Sequence, residues 1–204
     1  MLAWFYSGGG EALYRELVND ILKLNIVGLL YFPMPVQPLG WFKKEIKSSE
    51  DFKGISYRAE GLAASVFMEL GASVTVLPSG EIVQIMDRGL LDAAGLNNPS
   101  SDMQLGFPDV AKFYMMASHH RPAGAFEVVF NKVKHDALPA ESKSILRHAA
   151  LSASTTQLGM AYVRYPKDID EIRRRGVSVI RTGEAVLRAQ LAAWDKVIAE
   201  NSKE

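Results

Sequence analysis

Residues 54–98 read GISYRAEGLAASVFMELGASVTVLPSGEIVQIMDRGLLDAAGLNN, and the order of elements in this stretch decides the fold class. A short apolar segment, Ile55 to Tyr57, leads into Arg58. A helical pattern from Gly61 to Leu70 stops at Gly71, and the β-branched run Ser73 to Leu77 breaks at Pro78. Ser79 is placed to cap a second helix through Asp87, which Gly89 ends. Leu90 to Ala93 reads as a third short strand. Strand, helix, strand, helix, strand is the grammar of a parallel sheet covered by helices. Ligands of such sheets sit beyond the carboxyl ends of the strands. Arg58 ends the first strand, and Asn97 and Asn98 follow the third. One fixed cation and two amides therefore gather at the edge where a small anion binds.

Working outward, Trp4 to Tyr6 with Gly8, Gly9 and Gly10 reads as a strand end and a turn. A glycine triplet before a helix can cradle phosphate. The P-loop lysine and hydroxyl and a full dinucleotide fingerprint are missing, so a plain turn is expected. Glu11 to Leu22 has the spacing of an amphipathic helix. Ile26 to Phe32 is a continuous apolar run, expected as a buried strand of a parallel sheet. The prolines at 33, 35 and 38 make residues 33–41 a stiff, extended connection. Ser48 to Asp51 offers caps for one helical turn. Residues 97–102 read as a polar loop, Asp109 to Met116 as a helix, residues 119–122 as a second polar loop, and Phe126 to Phe130 as a strand. A long helix follows from Leu138 to about Gly176, bent near Pro166. Val177 to Arg181 is the last strand, and a final amphipathic helix ends near Ala199.

Composition excludes several function classes. The chain has 204 residues, 48% of them hydrophobic, with 23 basic and 23 acidic side chains. That length buries a core in one or two lobes, and the balanced charge leaves no footprint for nucleic acid or an anionic membrane surface. Cysteine is absent, so there is no disulfide framework and no thiolate metal site. No apolar run approaches the roughly 20 residues that span a bilayer. There is no nucleophile elbow, HExxH or Walker pattern, so no catalytic residue is nominated. His119 and His120 are sequence neighbours and face opposite ways on extended backbone, which argues against a shared zinc.

Several segments recur in a fixed order: Val36 to Trp41, Phe52 to Arg58, Leu70-Gly71-Ala72, Gly80-Glu81-Ile82, Arg88 to Ala94, Asn131-Lys132, and Asp136 to Pro139. Together they resemble the DctP-like solute-binding proteins of TRAP transporters, which capture organic acids. The family patterns are VQMGGW, LKGLKxR, LGA, GEIxxALQxGxIDAA and NKxxxDALP. The match runs from about Trp4 to the C-terminus. The resemblance implies an α/β, periplasmic-binding-protein-like fold of two discontinuous lobes joined by hinge strands. On this pattern residues 1–36 and 127–165 form part of the first lobe, and residues 37–126 and 166–204 form the second. It further implies a periplasmic receptor that closes on a small organic acid and presents it to the TRAP membrane permease, without a cofactor. The first ten residues carry no basic n-region and no cleavage site. The expectation is thus a truncated chain that lacks its signal and opening βα units.

The resemblance makes Arg58 the residue that grips the substrate carboxylate, and a guanidinium does offer planar two-point recognition. The alternative is an arginine paired with Glu60 or Asp92. Gln37 matches the hinge glutamine that contacts ligand or cation; the alternative is an amide serving irregular backbone. Ketoacid-binding relatives read DAAEWVGP and WHEP where this chain reads Asp92 to Pro99 and His119 to Pro122, and their two glutamates help hold a metal cation. Here these positions are Gly95 and Arg121, and Leu96 replaces the tryptophan. Removing two carboxylates should abolish a hard-cation site. The expectation is no metal, with Arg121 taking the cation's place; the competing reading has Arg121 in solvent. His120 matches the family histidine. Asn97 and Asn98 can bond a hydroxyl or keto oxygen, or simply form a turn before Pro99. Glu127 is an acidic candidate to pair with Arg121 or Arg58. Two other readings stay open: an organic-acid enzyme on the same scaffold, and a truncated remnant that folds only as a homodimer.

Overall fold

In the computed structural model, which describes residues 2–202, the strands are β1 (Ile26–Met34), β2 (Gly40–Phe42), β3 (Ser56–Arg58), β4 (Ser73–Thr75), β5 (Ala93–Ala94), β6 (Phe113–Met116), β7 (Gly124–Asn131) and β8 (Ser178–Arg181). The helices are α1 (Leu2–Ser7), α2 (Gly10–Arg15), α3 (Leu62–Glu69), α4 (Ile82–Asp87), α5 (Pro99–Gln104), α6 (Phe107–Val110), α7 (Lys132–Asp136), α8 (Ala140–Arg174) and α9 (Glu184–Asn201). The chain divides into two units, Met1–Pro35 with Ala123–Tyr162 and Val36–Pro122 with Val163–Glu204.

The second unit is organised on a six-stranded sheet in the order β4-β3-β5-β2-β6-β8. β3 pairs in parallel with β4 and β5, as the deciding stretch implies. β2 runs antiparallel to both of its neighbours, β5 and β6, and β8 pairs in parallel with β6. One core cluster gathers Phe42, Phe52, Tyr57, Phe67 and Met115. A second gathers Trp41, Ile82, Met86, Phe107 and Tyr114. Helix α3 starts after Gly61 and stops before Gly71, whose φ of +94° is a left-handed turn that glycine reaches without a Cβ penalty.

Several sequence expectations are corrected here. Asp109 to Met116 is not one helix: α6 ends at Val110, and Phe113–Met116 is strand β6 between β2 and β8. Residues 97–102 are not a loop throughout. Asn98 caps α5, with its side-chain oxygen accepting from the backbone N–H groups of Ser100 and Ser101 and with Pro99 in the first turn. Ser79 does not cap α4; it begins a 3-10 turn, Ser79–Glu81, that leads into the helix.

In the first unit, Trp4 to Tyr6 lies in α1 rather than in a strand, and Phe5 packs edge-on against Tyr6 and Tyr14. The helix expected over Glu11 to Leu22 is α2, continued by a wider π-helical turn, Glu16–Ile21. β1 is half-buried rather than fully buried, and among the described residues it pairs only with β7, antiparallel. The register of that pair shifts between Tyr31 and Pro33, where Phe32 takes a φ of +53°. Pro33 has no N–H to offer the ladder, so an irregularity there costs little pairing.

Candidate functional site

Arg58 is the last residue of β3, the strand between β4 and β5. Its side chain is 4% exposed and is held by carbonyls just past the ends of its two neighbours. Nε and Nη2 donate to the Leu77 carbonyl, beyond β4, at 3.1 and 3.0 Å, and Nη1 donates to the Gly95 carbonyl, beyond β5, at 3.1 Å. The other Nη2 contact is an ion pair with Glu60 at 2.8 Å. Of the two partners open in the sequence, Glu60 is therefore the one used. Asp92 instead accepts from the backbone and hydroxyl of Ser56 at 2.9 and 2.8 Å, and these bonds hold its carboxyl below the usual range.

A cavity of about 10 Å³ opens at this edge, lined by Gln37, Tyr57, Arg58, Glu60, His120 and Arg121 among others. Leu96 also lines it, so Arg58, Gln37, Leu96, His120 and Arg121 come together. Asn97 and Asn98 do not line it, and the side-chain oxygen of Asn98 is engaged at the start of α5. Glu127 lies in the first unit and accepts from the Tyr14 hydroxyl. Tyr57 and Glu60 are the lining residues with polar side chains that the sequence alone does not nominate as binding groups. Their positions one before and two after Arg58 were the available signal.

Gln37 is buried, and its Oε1 has no hydrogen-bond partner among the described residues. Its backbone N–H donates to the Arg121 carbonyl at 3.1 Å, which ties the 119–122 segment to residue 37. Gly95 has a steric role. A Cβ there would lie 2.7 Å from the hydroxyl of Tyr57, which is fully buried and donates to the Leu39 carbonyl at 2.5 Å. A side chain at position 95 must displace that ring.

His120 is buried, and its tautomer follows from its neighbours. The His119 N–H donates to Gln190 Oε1 at 2.9 Å, which fixes that atom as an acceptor. The Ser118 hydroxyl therefore donates to the same oxygen, at 3.0 Å, and must accept from His120 Nδ1 at 2.5 Å. Nδ1 carries the proton and Nε2 is the acceptor. Burial pushes the imidazole down to about 3, with the Arg121 charge adding to the effect, so His120 is neutral at physiological pH.

Asp102, behind the site, shifts the other way. Burial pushes its carboxyl up to about 6, although bonds from Trp41, Ser101 and Asn98 pull it back. Its folded value lies above the unfolded 3.8, so its contribution to stability is full below 3.8 and is lost as pH rises through about 6. For His120 the folded value lies below the unfolded 6.5, so its contribution is full above 6.5 and is lost as pH falls toward 3. The two offset each other between pH 4 and 6. Asp102→Asn is expected to unmask the histidine and steepen the loss of stability across that window. His120→Asn is expected to leave only the Asp102 contribution and reverse the slope, so that stability falls as pH rises from 4 to 6. Urea midpoints at pH 4, 5, 6 and 7 check both signs.

The family model for bacterial extracellular solute-binding protein, family 7, matches residues 1–204. The chain is 31% identical over 200 residues to a monocarboxylate 2-oxoacid-binding periplasmic protein of Nostoc sp., covering 98% of this chain and 54% of that protein. A TRAP transporter solute-binding protein of Bordetella bronchiseptica, solved as a mixed-occupancy dimer with calcium and picolinate in one site, superposes with a TM-score of 0.92 at 29% identity. The overlap covers 100% of this chain and 60% of that one. A TRAP periplasmic solute-binding protein of Colwellia psychrerythraea, with bound calcium and pyruvate, superposes with a TM-score of 0.90 at 30% identity over 100% of this chain and 62% of that one. The chain thus spans little more than half the length of the relatives it matches.

Proposed function

The chain belongs to family 7 of the bacterial extracellular solute-binding proteins, the DctP family, and from that premise we propose that the Arg58 edge of its sheet captures the carboxylate of a small organic acid for TRAP-type uptake. The observation that carries this reading is a buried guanidinium anchored by backbone carbonyls at the carboxyl end of a parallel strand, facing a cavity. Charge-assisted bonds to a desolvated guanidinium are strong and directional. The family is one of binding proteins, and the role is that of a receptor: it holds the acid, performs no chemistry on it and hands it to a membrane permease. Among the described residues no helix is long and apolar enough to cross a membrane. The related proteins bind pyruvate and 2-oxoacids, which makes a short monocarboxylate the first ligand to try.

Calcium or sodium accompanies the ligand in related structures, but the donor set here does not fit a hard cation. Such ions take oxygen ligands, carboxylates above all. The cavity offers two guanidiniums, the single carboxylate of Glu60 already paired to Arg58, and one amide oxygen of Gln37. Position 95 has no side chain and no room for one. Among the described residues no three acidic, histidine or cysteine side chains group to hold a metal. On this reading the positive charge of Arg121, which lines the cavity, takes the cation's place. A thermal-shift screen against pyruvate, lactate, succinate and picolinate, with and without EDTA, tests this. The expected result is stabilisation by at least one acid that EDTA leaves unchanged. Stabilisation that EDTA abolishes would remove Arg121 from the proposed role.

A further inference from the structure

Arg58 has five N–H groups, and its own protein uses most of them. Nε and one Nη2 hydrogen go to Leu77, one Nη1 hydrogen goes to Gly95, and the other Nη2 hydrogen goes to Glu60. A two-point grip on a ligand carboxylate needs adjacent hydrogens, and only one, on Nη1, is left over. The carbonyl bonds position the guanidinium. The Glu60 bond is different in kind, because its acceptor is itself a carboxylate. The second oxygen of that carboxylate, Oε1, lies 4.0 Å from Arg121 Nη2. One carboxylate therefore spans both guanidiniums of the cavity, which is the arrangement a bound acid would adopt. The space that remains, about 10 Å³, holds roughly one water and no organic acid.

We infer that Glu60 is an internal stand-in for the ligand carboxylate, displaced by an entering acid, and that its charge restricts the cavity to singly charged acids. The inference rests on the preceding assignment of Arg58 as the carboxylate grip. Glu60 is free to give way: its side chain is 45% exposed and sits on the short connection between β3 and α3. It can turn outward at the rim of the cavity, where a half-exposed carboxylate is hydrated; it then gives up its bond to Arg58, which is the competition an entering acid must overcome, but its charge stays close. Arg58, buried and held on both sides, stays in place. Counting Arg58, Arg121 and Glu60, the cavity carries one net positive charge. A monoanion neutralises it, whereas a second carboxylate meets the Glu60 charge close by.

The test is calorimetric titration of pyruvate and of succinate into the wild type, Glu60→Ala, Glu60→Gln and Arg58→Ala. Removing the competing charge is expected to tighten pyruvate about tenfold or more, the lower end of close charge-pair coupling. Glu60→Gln, which keeps a weaker bond to Arg58, is expected to gain less. Succinate is expected to gain more than pyruvate in both variants. Equal or weaker pyruvate binding in both Glu60 variants, with binding still crippled in Arg58→Ala, overturns the role of Glu60 and leaves the Arg58 site standing. An unchanged ratio of succinate to pyruvate affinity overturns the charge selection. Binding as tight in Arg58→Ala as in the wild type, or no binding of either acid by any protein, overturns the site reading and this inference together.

Discussion

Arg58→Ala is expected to cripple organic-acid binding, with a loss of roughly 30-fold to several thousand-fold. The figure follows from the about 2–5 kcal/mol typical when one partner of a buried charge-assisted contact is truncated. The substitution removes the grip and also releases its supports. The Leu77 and Gly95 carbonyls lose their donors at the ends of β4 and β5, and Glu60 loses its buried partner. Arg58→Lys separates charge from geometry. It keeps the cation but cannot reach Leu77, Gly95 and a ligand at once, so binding is expected to stay far below wild type. Titration of pyruvate into the three proteins checks this. Arg58→Lys binding as tightly as wild type would mean that charge alone suffices.

The largest loss of stability is expected from Trp41→Ala, about 3–5 kcal/mol by the general cost of truncating a buried aromatic. Trp41 is fully buried in β2, which runs against both its neighbours. Its ring stacks on Tyr114 with centroids 4.1 Å apart and on Phe107 at 5.5 Å. Its Nε1 donates to Asp102 Oδ2 at 3.0 Å. Truncation leaves a cavity and takes a donor from a carboxylate that burial already pushes up. Trp41→Phe keeps an aromatic ring in the stack and loses the bond together with part of the indole volume, so its cost is expected near 1–3 kcal/mol, below that of Trp41→Ala. Urea denaturation of both variants measures the split. Equal costs would mean that the hydrogen bond, not the packing, dominates.

The βαβαβ stretch was legible because each of its elements ends on local chemistry: glycines at 71 and 89, proline at 78, and β-branched residues between them. Arg58 was legible for the same reason, since a strand end next to a helix start fixes where its side chain emerges. The errors fall where long-range pairing outweighs local pattern. Val110, Phe113 and Tyr114 have helical spacing, yet β6 is held between β2 and β8, far away in sequence. A short apolar run does not reveal that by itself. Trp4 to Tyr6 before three glycines reads as a strand end and a turn, but Tyr6 instead donates its hydroxyl to the Leu30 carbonyl from a helix. Helix α5 was readable and was missed, because asparagine followed by proline is a helix start as well as a turn.

Within the site, the sequence named Gln37, Leu96, His120 and Arg121, and these line one cavity with Arg58. What it did not yield was how the arginine is already engaged. Glu60 was visible two residues on as an ion-pair partner. That its carboxylate would also face Arg121, 61 residues further along the chain, depends on the fold. The link between Gly95 and Tyr57 is likewise a matter of packing, because neither residue implies the other until the 2.7 Å approach is seen.

The most direct test is calorimetric titration of pyruvate into protein stripped with EDTA, repeated after calcium is added back and with Arg58→Ala beside the wild type. The account predicts heat of binding in the wild type without metal, the same affinity with calcium, and crippled binding in Arg58→Ala. Heat that appears only with calcium, or an affinity that Arg58→Ala leaves unchanged, would contradict a carboxylate site built from arginines.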